Sequence, residues 1–270
     1  MLLLPSLSQL FIHSLLISLV STASPVGRNR QRDSGTVWAT PHDAFSSSIG
    51  VLGCKVNTNR VAYWPQSVDC TNICIALTYQ DRTLHLLRID QSEGAYDISY
   101  DAWNYLYTGY SATEKPFAGG PVEMTYKDVD ASNCKDLIDT KHGHLPLSAA
   151  NSMNFLTSCL DQNNTWVGQN YVLYNILDSL CTLGRDETCD LDYPAANQAA
   201  CPHQLGLPDK LENMPVYNIR YPSGEKVSAS DGQPAPTSDD EEDLGTSLSQ
   251  PSGKTLALVI LLTTCLAFGV

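Results

Sequence analysis

Hydrophobic and polar positions along the chain follow two different periods. Thr83 to Ile89 is mostly apolar or β-prone and predicts a strand that ends on Asp90. A polar loop, Gln91-Ser92-Glu93-Gly94, follows, and Asp97-Ile98-Ser99 turns the chain into a helix. Ser99 stands where an N-cap belongs, and Asp101 sits in the first turn, where the helix dipole favours negative charge. Ala102, Trp103, Leu106 and Tyr107 give this helix an apolar stripe, and Gly109 ends it. Further strands are predicted from Val37, over Arg60–Trp64, and over Ile73–Tyr79, the last joined to Thr83 as a hairpin through Gln80-Asp81. Val122, Met124 and Tyr126 alternate with Glu123, Thr125 and Lys127, the mark of a strand with one wet face.

After Cys134 the spacing turns helical. Ser148 is a candidate N-cap, with Met153, Leu156 and Leu160 behind it. Val172, Leu173, Ile176, Leu177 and Leu180 predict a second amphipathic helix, stopped near Gly184. From Leu207 the periodicity disappears into Pro, Ser, Gly and acidic residues, including the run Asp239 to Asp243. That composition predicts a disordered acidic spacer.

The two ends carry targeting signals. Leu2 to Val20 is largely apolar and Ser21-Thr22-Ala23 supplies small residues, the layout of a secretory signal peptide. Leu256 to Val270 is apolar but short for a spanning helix, which needs about 20 residues. It follows a polar stretch of small residues, as a GPI-attachment signal does, with Gly245 or Ser247 the attachment residue. The expected location is the extracellular face of the plasma membrane or the cell wall, with the membrane reached through a GPI lipid.

Cysteine content fits an oxidising compartment. Of nine cysteines, Cys265 lies in the apolar tail, leaving Cys54, Cys70, Cys74, Cys134, Cys159, Cys181, Cys189 and Cys201. The change of texture after Cys134 predicts that the first four pair among themselves and the last four likewise. Asn163-Asn164-Thr165 is an N-glycosylation sequon. The net charge of −13 argues against nucleic acid as a partner. No cofactor motif is present, and His142-Gly143-His144 lacks the further ligands a metal site needs.

The strand ending in Asp90, the Asp97-Ile98-Ser99 turn and the Ala102-Trp103 pair together resemble the double-psi β-barrel family of RlpA-like proteins, expansins, barwins and barwin-like endoglucanases. Gly53-Cys54, Asn59 to Tyr63, Cys70 to Leu77 and Gly119 to Val129 extend the resemblance over roughly Gly35 to Cys134. The resemblance implies a fold that is mainly β with α: a six-stranded double-psi β-barrel, here with a disulfide-stapled helical C-terminal extension. The organisation expected is a signal peptide (1–23), a flexible lead-in (24–35), the barrel (36–135), the Cys-rich extension (136–206), the spacer (207–247) and the attachment signal (248–270).

By the same resemblance, Asp97 takes the position most tied to activity or glycan contact, and Asp90 matches an upstream Asp. Glycan cleavage needs a carboxylic acid to protonate the leaving oxygen, and inversion adds a base about 6.5–9.5 Å away. Asp97 as helix cap and Asp90 as loop tie are the structural alternative. The chain departs from the hydrolases, with Ala95-Tyr96 before Asp97 where they carry His-Phe, and with no acid after Tyr63-Trp64-Pro65. Aromatic rings stack on sugars, and Tyr96, Tyr100 and Trp64 are the candidates. The expectation is therefore non-catalytic binding of cell-wall polysaccharide or modulation of the wall, suited to a fungal surface. The alternatives are a glycan-cleaving enzyme with Asp97 as general acid, or a structural or host-contact protein.

Overall fold

The computed structural model describes residues 33–236. The expected signal peptide, most of the expected lead-in, the acidic run and the expected attachment signal lie outside the described residues.

Six strands close a barrel: β1 (Ser34–His42), β2 (Val61–Trp64), β3 (Cys74–Tyr79), β4 (Arg82–Gln91), β5 (Tyr96–Ser99) and β6 (Val122–Asp128), in the order β1-β5-β2-β4-β3-β6. The β1–β5 and β2–β4 ladders are parallel and the other four antiparallel. The predicted hairpin forms with Tyr79 opposite Arg82. Every strand sends alternate residues inward, among them Val37, Ala39, Ala62, Ile75, Leu77, Leu86, Ile98 and Met124, and these fill the barrel.

Helix α1 (Tyr100–Thr108) closes the barrel end beside the β3–β4 hairpin. Arg82 of the hairpin donates from Nε to the Leu106 carbonyl at 2.7 Å and from Nη2 to the Tyr107 carbonyl at 3.1 Å. These are helix C-terminal carbonyls that would otherwise lack partners. Trp103 is fully buried, and its indole N–H reaches the Ala39 carbonyl at 3.1 Å. Gly109 ends the helix with φ of 84°, as the sequence predicts. Ser99 occupies the cap position without a side-chain capping bond. Asp101 does more than complement the dipole. Its buried carboxylate accepts from Arg60 (2.7 Å), the Ser111 hydroxyl (2.6 Å) and the Ala112 N–H (2.8 Å), tying the helix to the loops on either side.

The outward residues of β2, β3 and β4 are also apolar. Val61, Tyr63, Cys74, Leu87 and Ile89 are buried under the chain that follows the barrel, and they form one core with Leu145, Leu147, Leu156, Val167, Leu173 and Ile176. That covering layer holds a three-stranded sheet in the order β7-β8-β9, with β7 at Leu145–Ser148, β8 at Tyr171–Ile176 and β9 at Gly184–Cys189. The helices α2 (Met153–Leu160) and α3 (Trp166–Gln169) lie between β7 and β8. The helix predicted from Met153 is present. The stripe predicted as a second helix from Val172 is instead strand β8, in which Leu173 and Asn175 point inward. Asn175 is a polar residue at a core position, held by Glu187 at 2.8 Å, and it masked the period of two. Ser148 ends β7 rather than capping a helix; Ser152 is the residue before α2.

All eight expected cysteines are paired, but not in two separate sets. Cys74–Cys134 and Cys189–Cys201 stay within their sets, whereas Cys54–Cys181 and Cys70–Cys159 cross between them. The physical reason is the shared core: the loops carrying Cys54 and Cys70 lie under the covering layer. The order also extends past Leu207. Strands β10 (Tyr217–Ile219) and β11 (Lys226–Ser228) form a hairpin, and Val216 and Ile219 are buried. The Tyr221 N–H donates to Asp43 at 2.9 Å and its hydroxyl to the Gly119 carbonyl at 2.7 Å. Three well-spaced apolar and aromatic side chains suffice to dock a segment that composition alone assigns to the spacer.

Candidate functional site

One row of side chains crosses the outer surface of the barrel. Thr40 on β1 pairs with Asp97 on β5, Asp97 with Tyr63 on β2, and Tyr63 with Asp90 on β4. Residues paired in register share a face, so the two acids flank Tyr63, one strand away on each side. Two inter-strand spacings put the acids' Cα atoms about 10 Å apart.

The two carboxylates are held differently. Asp90 is a clamp: its Oδ2 accepts from the Ser46 hydroxyl at 2.5 Å, and its Oδ1 from the Ser48 N–H at 2.9 Å and the Gln91 N–H at 2.8 Å. It thereby folds the Ser46–Ser48 loop over the edge of the row. Asp97 is half-buried and accepts from the Thr40 hydroxyl through Oδ1, a contact made possible by the parallel β1–β5 pairing. Neither Asp90 nor Asp97 caps the helix. Tyr63 is only 4% exposed and forms the floor between them. Burial pushes its phenol far above the usual range, the neighbouring Asp90 and Asp97 charges push it further, and a backbone bond at Ser46 opposes them. The phenol therefore keeps its proton. The His42 ring packs on Tyr63 at 4.8 Å between centroids.

Beside the row, on the same face of β1, Trp38 is 61% exposed. Thr36, Thr125 and Thr78 stand in register across β1, β6 and β3 and continue the hydroxyl-rich surface. A surface of carboxylate acceptors, hydroxyls and one open indole face suits a ligand rich in hydroxyl groups and C–H faces.

The aromatic residues predicted for stacking are elsewhere. Trp64 and Tyr100 are 2% and 1% exposed and offer no ring face to a sugar. Trp64 points into the barrel, where Tyr96 and Tyr126 meet it edge-on at 5.1 and 4.8 Å. Tyr100 bonds the Phe117 and Pro222 carbonyls beneath the β10–β11 hairpin. Tyr96 is half-buried. Asn163 is exposed in the loop between α2 and α3. The rings of His142 and His144 lie 5.8 Å apart, and no group of metal ligands forms among the described residues. Sequence reasoning missed Thr40, His42, Ser46 and Trp38. The alternation Trp38, Thr40, His42 along the first strand is the signal that would have found three of them.

Comparison with known proteins places part of the chain. The Cerato-platanin family model matches residues 42–137. Among solved structures, the crystal structure of cerato-platanin 2 from M. perniciosa is similar at 15% identity and a TM-score of 0.29, over 37% of this chain and 98% of that one. No curated protein matches. Cerato-platanins have a double-psi β-barrel related to that of expansins. The matched stretch holds the row from Tyr63 to Asp97 but not the covering layer.

Proposed function

We propose that this protein is an extracellular, non-catalytic polysaccharide-binding protein whose ligand lies across β1, β5, β2 and β4. The observation that carries the reading is the row Thr40–Asp97–Tyr63–Asp90, with exposed Trp38 alongside. Asp97 presents a carboxylate to sugar hydroxyls, and Trp38 offers a stacking face. Asp90 spends both oxygens on its own loop, which leaves no second acid free to activate water. Four disulfides suit secretion. A GPI tether, with the segment before it as the spacer, is the further part of this proposal and rests on the composition of Gly245 to Val270.

The test is co-sedimentation of the purified protein with insoluble β-glucan, chitin and cellulose, with reducing ends assayed in parallel. Wild type is expected to bind at least one polymer and release no ends. Trp38→Ala and Asp97→Asn are each expected to weaken binding about tenfold, the effect of about 1.4 kcal/mol. Binding to none of the polymers refutes the reading. Release of reducing ends that Asp97→Asn abolishes replaces it with a glycan-cleaving enzyme using Asp97 as general acid.

A further inference from the structure

The barrel end closed by α1 carries an exposed aromatic surface that the outer row does not use. The segment from Pro116 to Val122, Pro-Phe-Ala-Gly-Gly-Pro-Val, holds no charged, hydroxyl or amide side chain, and all of it except Gly119 and Val122 is exposed. Phe117 is 42% exposed. Its ring lies 5.1 Å from that of Tyr107 on α1, and Tyr107 lies 5.6 Å from Tyr79 at the end of β3. Tyr107 and Phe117 are both stacked on the buried Trp103, at 5.4 and 6.4 Å, with planes 22° and 20° from its own. Rings stacked on one indole share its orientation, so this surface presents ring faces in nearly one direction.

Buried polar groups hold the segment in place. Asn104 on α1 is fully buried, and its amide is spent on this loop. It donates to the Tyr110 carbonyl at 2.9 Å and the Lys115 carbonyl at 3.0 Å, and accepts from the Phe117 N–H at 2.9 Å. At Gly119 a Cβ would stand 2.4 Å from the Trp103 ring, so glycine lets the segment lie against the indole. An exposed Phe on a loop fixed in this way is preorganised, and binding there costs little further ordering. Tyr110 is 48% exposed, but Lys115 Nζ lies over its ring at 4.8 Å from the centroid, which leaves Tyr110 outside the surface.

Size and orientation select the occupant. A stable protein partner takes roughly 20–30 residues a side, whereas the uncharged stretch is short and bounded by Lys115 and Glu123. A bilayer takes up side chains that project, not rings stacked on a buried indole, and the net charge of −13 opposes anionic headgroups. Uncharged ring faces match the C–H face of a pyranose whose hydroxyls are all equatorial, as in β-1,4-linked chains of glucose or N-acetylglucosamine. We propose that Tyr79, Tyr107 and Phe117 form a second carbohydrate-binding surface, which takes successive sugar rings of a neutral β-1,4-linked glycan independently of the outer row.

The experiment is isothermal titration calorimetry of the secreted protein with cellohexaose, chitohexaose and maltohexaose. It is run in parallel on a variant carrying both Trp38→Ala and Asp97→Asn, in which the outer row is disabled. Cellohexaose or chitohexaose is expected to bind both proteins, at least about tenfold more tightly than the α-linked maltohexaose. Binding kept by the double variant separates this surface from the outer row, so either reading can fail alone. Phe117→Leu in that background keeps an apolar cover on Trp103 but removes the ring, and is expected to lose about tenfold in affinity at an unchanged melting temperature. Phe117→Tyr restores the ring and should restore the affinity. If Phe117→Leu does not fold, the preference of the double variant for β-linked over α-linked hexamer decides alone. The proposal is overturned if neither β-linked hexamer binds the double variant, if maltohexaose binds it equally well, or if Phe117→Leu binds unchanged. Co-sedimentation with phosphatidylcholine vesicles that persists in Phe117→Leu, without hexamer binding, assigns the surface to a membrane instead.

Discussion

Removing the Cys70–Cys159 bond, by Cys70→Ala together with Cys159→Ala, tests whether barrel and covering layer form one cooperative unit. Taken alone, a loop of 89 residues contributes about 4.6 kcal/mol in the chain-entropy view of disulfides. The other bonds shorten that loop. Through Cys74–Cys134, the unfolded chain links Cys70 to Cys159 by about four residues on one side and about 25 on the other. An effective loop of about 29 residues lowers the contribution to about 3.6 kcal/mol. For a unit of this size that corresponds to roughly 7–14 °C in melting temperature. The bond also sits in the shared core, with Cys159 fully buried, so the loss should fall on the whole molecule. Differential scanning calorimetry should therefore show a single transition, displaced downward as a whole. Two resolved transitions, the lower one belonging to residues after Cys134, would refute the shared-core argument. So would a shift under about 2 °C.

Gly224 has φ of 76°, and a Cβ there would stand 2.1 Å from the Ala112 carbonyl oxygen. Gly224→Ala should detach the β10–β11 hairpin and expose Tyr221, read as faster protease cleavage near residue 220 with the barrel intact. Glu187 is held at about 2, first by the Asn175 side chain and then by His203, against some loss of hydration. A lowered carboxylate stabilises above its ordinary value of about 4.5, and that contribution fades as pH falls towards 2. The melting-temperature gap between wild type and Glu187→Gln should thus be full above about pH 5.5 and close only as pH falls to about 2 and below; a gap independent of pH contradicts the assignment. A phospholipase that cuts GPI should release the protein from intact cells, and a mature protein that retains Leu256 to Val270 by mass spectrometry removes the tether from the proposal.

The barrel was legible because local signals and long-range pairing agree there. Gln80-Asp81 between two β-prone runs predicts the hairpin that forms, and Gly109 stops the helix where expected. The alternation from Val122 to Lys127 reports its wet face correctly. The covering layer was not legible, because its pattern answers to two surfaces. Leu173 and Ile176 serve the shared core, and between them Asn175 is buried on behalf of Glu187 and the turn at His203. A buried amide reads as a solvent position in sequence, and the period of two is lost. The disulfide sets failed for a related reason. Texture divides the chain at Cys134, but β2 and β4 are apolar on both faces, and a strand apolar on both faces needs a cover on each. Val61, Tyr63, Leu87 and Ile89 already stated that demand.

The same double-sidedness decides which aromatic residues can meet a ligand. In a closed barrel, neighbouring residues of a strand face opposite ways, so Tyr63 and Trp64 cannot share a site. Tyr63 goes outward to the acids of the outer row, and Trp64 goes inward to Arg88 and Asp128. The barrel wall lies between the two rings. Asp90 and Asp97 are close along the chain but stand on different strands, β4 and β5. They meet instead because β2 inserts between β4 and β5, pairing parallel with one and antiparallel with the other. That insertion is a property of the crossover, invisible to periodicity. It also fixes the distance between the two carboxylates, with the buried Tyr63 standing between them.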